Sequence, residues 1–224
     1  MNKDVKKLHR SCLQCIRMKD GKMIQRPLGS QLVAYKPGQI LTFDYMFLGT
    51  CKSGYKYVLV LVDKFSKLTM MVPTKAPLTI PAAKAILQWS SFHGIPDWLI
   101  SDGGSHFKNE VMKHLTATLG MKHHITTPHC PWANGTVERA NREILWVFRT
   151  LCDENELNFD EWDYLLPFVQ FIMNHRVLPG LGGRTPIEVN YGRAPKLPLQ
   201  LSIWNGVFLK DANEMTVPVD LVNR

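Results

Sequence analysis

The chain has 224 residues, 45% of them apolar and 21% charged, which supplies one substantial hydrophobic core and argues against a disordered chain. Its formal charge is +8, unevenly placed: residues 1–30 carry eight Lys/Arg against two Asp, leaving 19 basic and 17 acidic residues over the rest. The longest apolar run, Tyr57 to Val62, is about a third of a membrane span, and the charged amino terminus lacks the apolar stretch of a secretory signal.

Residues 1–30 are basic and poor in apolar side chains, and they read as a linker or the remnant of a preceding module. Such an arm fits a polyanionic partner or a solvated tail. Five cysteines form no disulfide framework, so the thiols are expected to be reduced in an intracellular compartment.

From residue 40 the pattern changes. Ile40 to Leu48 is rich in aromatic and aliphatic residues and predicts a strand. Tyr55 to Val62, interrupted only by Lys56, is an apolar and β-branched run, the mark of a strand buried on both faces, and Lys52-Ser53-Gly54 predicts a hairpin turn between the two. Leu68 to Val72 gives a third strand, stopped by Pro73. Ala82, Ala85, Ile86, Trp89 and Phe92 then recur at helical spacing, with Pro81 in the first turn and Gly94 at the end. Trp98 to Ser101 is a short strand, Asn109 to Leu119 a helix closed by Gly120, and Lys122 to Ile125 another short strand. After a Pro/Gly/Asn-rich loop, Thr126 to Thr136, comes a long helix with Val137, Ala140, Ile144, Val147 and Leu151 on its buried stripe. A further helix spans about Asp160 to Val177. Trp89, Phe92, Trp162, Phe168 and Phe171 are expected in the core. Three meandering strands followed by alternating helices and strands predict an α/β fold, a mixed sheet of about five strands flanked by helices. The core is placed at 31–195, with a carboxyl-terminal extension at 196–224.

Three carboxylates stand where a metal site needs them. Asp44 lies inside an otherwise apolar strand, where a charge conflicts with burial unless it is paired or ligates a cation. Asp102 follows a strand directly, at the end where open α/β sheets place ligands. Glu138 opens the long helix, 35 residues beyond Asp102. Taken singly, Asp102 reads as a turn residue and Glu138 as a partner of the helix dipole; their joint placement points to chemistry. Oxygen ligands select Mg²⁺ or Mn²⁺, and a pair of such ions clamps the attacking and leaving oxygens of a phosphoryl displacement.

Three segments carry a family resemblance: Gly94–Phe107 (GIPDWLISDGGSHF), Thr127–Arg142 (TPHCPWANGTVERANR) and Thr185–Pro195 (TPIEVNYGRAP). In order and spacing they resemble the integrases of LTR retrotransposons, the gypsy type in particular, and retroviral integrases more distantly, over about residues 5–198. The resemblance implies a ribonuclease-H-like fold, with Asp44, Asp102 and Glu138 as catalytic metal ligands for a pair of Mg²⁺ or Mn²⁺ ions. It implies 3′-end processing of element DNA and strand transfer into double-stranded target DNA, by a homo-oligomer in the nucleus. The chain departs from the family in two places. Many relatives carry Ala-Asp-Gly-Gln before the Glu where this chain has Ala133-Asn134-Gly135-Thr136. Of the amino-terminal zinc module only Cys12 and Cys15 remain, and two thiolates do not complete a tetrahedral site, so residues 1–30 read as its remnant and zinc is not expected.

Arg139, Asn141, Arg142 and Lys108 are candidate DNA contacts, and Arg149 lies farther along the same helix. Against that stands an ordinary solvated helix face with a Glu138–Arg142 pair. Asp63 reads as a turn residue, and His123 and His124 as structural. Two alternatives stay open: a catalytically degenerate or domesticated core that only binds DNA or protein, and a nuclease of the same fold acting on RNA–DNA hybrids.

Overall fold

The structure, a computed structural model, describes residues 32–104, 107, 109–126, 135–154 and 158–194. The arm at 1–30 with Cys12 and Cys15, the side chain of Lys108, most of the loop before Glu138 and the extension at 196–224 lie outside the described residues.

The strands are β1 (Ile40–Phe47), β2 (Tyr57–Asp63), β3 (Thr69–Thr74), β4 (Trp98–Ser101) and β5 (Lys122–Ile125). They form one sheet in the order β3-β2-β1-β4-β5. β1, β2 and β3 pair antiparallel, whereas β4 runs parallel to β1 and β5 parallel to β4. The parallel connections are made by helices, α1 (Thr79–His93) and α2 (Glu110–Leu119). α3 (Gly135–Glu154), α4 (Trp162–His175) and the short α5 (Pro186–Tyr191) follow.

Strand alternation sorts the core into two layers. Val58, Val60 and Val62 of β2 pack with Met46 against Val137, Ala140, Ile144, Val147 and Leu151 of α3 and Trp162, Leu166 and Val169 of α4. Leu59 and Leu61 pack on the other face with Phe43 against Ala82, Ala85, Ile86 and Trp89 of α1 and Met112 of α2. All five residues of the expected α3 stripe are buried.

Helix ends follow from local chemistry. Asn109 caps α2 by accepting from the Met112 N–H at 3.1 Å. Gly120 closes it in the left-handed region at φ 67°. α1 starts at Thr79, two residues before Pro81. α5 opens with a reciprocal cap: Thr185 accepts from the Glu188 N–H while the Glu188 carboxylate accepts from the Thr185 N–H.

The expected aromatic core is corrected in part. Trp89 and Trp162 are fully buried, but Phe92 and Phe168 are exposed at 68% and 47%, and Phe171 is half-buried. Each lies on its helix a few residues from a buried aromatic, yet at an angle that turns it to solvent. Edge strand β3 is held by polar groups instead. Asn174 of α4 accepts from the Thr69 N–H and donates to the Thr69 carbonyl, both at 2.8 Å. Gln170 accepts from the Met71 N–H at 2.7 Å.

Candidate functional site

The alternation that buries Phe43 against α1 turns Asp44 toward the face that α3 covers. Parallel pairing sets Thr42 beside Ile100; two residues on stand Asp44, still within β1, and Asp102, just past the end of β4. Glu138 stands exposed in the first turn of α3, and its charge acts on Asp44. Three carboxylates remote in sequence are thus brought to one end of the sheet.

Hydrogen bonds fix two of them. Asp44 Oδ1 accepts from the Tyr45 N–H at 2.8 Å, and Oδ2 accepts from Asn141 Nδ2 at 3.3 Å. Asp102 Oδ1 accepts from the Gly104 N–H at 3.0 Å, folding the loop after β4 back on itself. Behind it, Ser101 Oγ lies 2.9 Å from His123 Nε2. Aromatic packing stiffens the surroundings. Phe107 meets Phe43 edge-on at 4.8 Å and stacks on Tyr45 at 5.6 Å, and the Tyr45 hydroxyl donates to the Leu78 carbonyl at 2.6 Å.

The electrostatics reflect crowding. The Asp44 carboxyl is raised from 3.8 to about 6, first by burial, then by repulsion from Asp102 and, more weakly, from Glu138. The Tyr45 and Asn141 hydrogen bonds oppose the shift without cancelling it. Three hard oxygen donors concentrating negative charge are the donor set of a Mg²⁺-type cation. In the arrangement shown, no three acidic, His or Cys side chains among the described residues are gathered closely enough to hold one ion.

The candidate DNA contacts divide. Arg139 and Arg142 are exposed on α3, and the three ion pairs found among the described residues (Lys52–Glu161, Lys113–Glu110 and Arg176–Glu143) include neither. The Glu138–Arg142 pair is not among them. Asn141 is turned to Asp44, a contact that sequence reasoning missed although Asn141 stands one helical turn after Glu138, and its Oδ1 is buried without a partner. Asp63 also proves more than a turn residue. It is fully buried and accepts from the Gly38 N–H, the Ser66 N–H and the Ser66 hydroxyl at 2.9, 2.6 and 2.7 Å.

Residues 34–131 match the family model described as integrase core domain. Over these residues the chain carries an integrase core domain. It is 32% identical over 189 residues, 84% of its length, to the Gag-Pol polyprotein of feline leukemia virus. The integrase core is also similar to a simian T-cell lymphotropic virus intasome structure in complex with PP2A regulatory subunit B56 gamma. That match has a TM-score of 0.67 and 23% identity, covering 87% of this chain and 68% of that one. The HTLV-2 integrase catalytic core domain in complex with magnesium matches with a TM-score of 0.58 and 22% identity, covering 71% of this chain and all of that one. These likenesses establish the ribonuclease-H-like integrase fold: a mixed five-stranded sheet flanked by helices. The chain spans between 11% and 19% of the length of the curated polyproteins it matches.

Proposed function

We propose that this chain is the catalytic core of an integrase encoded by an LTR retrotransposon of the gypsy type, occupying residues 31–195 and acting in the nucleus as a homo-oligomer. Its reaction is 3′-end processing of double-stranded element DNA followed by strand transfer of those ends into double-stranded target DNA. Asp44, Asp102 and Glu138 are its metal ligands, for two Mg²⁺ or Mn²⁺ ions. The observation that carries this reading is the placement of Asp44, on the central strand, next to Asp102 and Glu138, two acids distant in sequence whose charges act on its carboxyl. Evolution of a fold stability alone gives no reason to crowd three acids at the end of a sheet. The HTLV-2 core, a structure of the same fold, is described in complex with magnesium.

Bound divalent ions would polarise the scissile phosphodiester and lower the pKa of the attacking water or 3′-hydroxyl. The residues of the chain do the positioning. Asp44, on the rigid central strand, would face both ions, with Asn141 and the Tyr45 amide fixing its rotamer. Asp102 would hold one side from the β4 loop. Glu138, exposed at the start of α3, would complete the set by turning inward. Arg139 and Arg142, with Lys108, would take DNA phosphates beside the ions.

The test incubates the full chain with Mg²⁺ and a labelled duplex ending in the element's terminal sequence. Shortened 3′ ends and joined products are expected. DNA binding without either product would favour a degenerate core, and cleavage only of RNA–DNA hybrids would make it a nuclease of the same fold.

A further inference from the structure

The solvent face of α3 continues beyond the acids in a way that their chemistry does not use. Arg139, Arg142, Trp146 and Arg149 follow one another at intervals of three, four and three residues, which places them on one stripe of the helix. All four are exposed. The stripe covers about 15 Å of helix axis. None of its arginines is in an ion pair among the described residues. Trp146 is 49% exposed, whereas Trp89 and Trp162 are fully buried, so the indole is placed against its hydrophobic preference.

The stripe ends in a cleft of about 510 Å³ lined by Trp146, Arg149, Thr150, Cys152, Asp153 and Phe159. The cleft is broadly open to solvent. Its second aromatic wall is Phe159, 38% exposed and anchored edge-on to the buried Phe148 at 6.3 Å. The lining has two characters. Indole and phenyl faces suit a planar base, and the Arg149 guanidinium suits a phosphate or stacks in its turn. The Asp153 carboxylate repels a phosphate but accepts from a ring N–H or exocyclic amine, so the base end, not the phosphate, belongs in the cleft.

We propose that this cleft takes an unpaired nucleotide of a DNA strand whose phosphates run along the arginine stripe from the acidic site. The inference rests on the reading of the chain as a DNA-joining core and adds to it a single-strand subsite.

Fluorescence anisotropy on the full chain tests it, with two labelled DNA probes: a blunt duplex, and the same duplex bearing a short unpaired 5′ tail. The tailed probe is expected to bind about tenfold tighter, the effect of stacking one or two bases. Trp146→Ala should erase that preference while leaving the blunt duplex unchanged, and Trp146→Phe should keep most of it. Arg149→Ala should weaken both probes and reduce the salt dependence of binding. Equal affinity for the two probes, or equal losses on both in Trp146→Ala, would overturn the subsite while leaving the DNA-joining reading intact. Trp146→Ala that breaks self-association and spares the tail preference would overturn it in favour of a protein interface. Failure to bind either probe would remove the subsite and the DNA-joining reading together.

Discussion

Two aspartates on neighbouring strands, Asp44 and Asp63, show how differently one side chain is used at the two ends of a sheet. Asp63 is the more deeply buried, yet three donors converge on its two oxygens and tie the β2–β3 turn to Gly38. Asp44 is half-buried, receives one backbone and one weaker amide donor, and faces two further acids. The first carboxylate is satisfied by the fold. The second is left short of positive partners, as a cation site requires.

The largest expected effect is on activity. Asp44→Asn, Asp102→Asn and Glu138→Gln should each lower strand transfer by about three orders of magnitude or more, ~4 kcal/mol of barrier. Asp63→Asn should leave the rate per folded molecule within about threefold, because its carboxylate holds a turn and touches no reacting group. Single-turnover joining assays on matched folded concentrations make the comparison. Activity retained by Asp102→Asn would remove that residue from the mechanism.

Stability should rank the two in the opposite order. Asp63→Ala leaves the Gly38 and Ser66 N–H groups without their acceptor, while the Ser66 hydroxyl keeps Asn190 Oδ1, and should cost about 2–4 kcal/mol in urea unfolding. Asp44→Asn removes a repelled charge and should stabilise the metal-free protein at neutral pH. The gain follows from linkage. The folded carboxyl titrates near 6 and the unfolded one near 3.8, so the folded state binds the extra proton between those values and loses relative stability as pH rises through them. The difference between Asp44→Asn and wild type should therefore be small at pH 4 and grow to on the order of 2 kcal/mol above pH 6.5. Millimolar Mg²⁺ should narrow it by raising the Tm of the wild type and not of the variant. A gap independent of pH would mean that Asp44 is not crowded.

Much of this contrast was legible in the sequence. An acid amid Phe43 and Tyr45 contradicts the burial pattern, and the three-segment resemblance sets Asp102 and Glu138 beside it. Apolar and aromatic runs bounded by Pro and Gly marked the leading strands, and helical periodicity marked the α3 stripe, because both layers of the sheet demand apolar side chains. Periodicity failed at Phe92 and Phe168, where helical spacing matched but the side chains face solvent. It was also silent on polar ties. Asn174 and Gln170 clasp β3, and Asn141 clasps Asp44, through donors and acceptors whose partners lie 97 to 105 residues away. Side-chain amides carry no periodic signal, so such pairs emerge only once the backbone is folded.

The smallest effect is the sharpest probe of the crowding itself. Asp102→Asn preserves the Oδ1 acceptor for the Gly104 N–H while removing one of the two charges that repel Asp44. Alone, it should stabilise the metal-free protein by less than about 1 kcal/mol, because Asp102 acts on Asp44 through space and ranks below burial among the causes of the shift. In an Asp44→Asn background the same change should do nothing, since the charge it relieves is already gone. A double-mutant cycle at pH 7 reads that coupling directly as the non-additive part of the two stabilities. Additive stabilities would show that the two carboxylates do not sense one another, and the three acids would then be neighbours in the fold without forming a site.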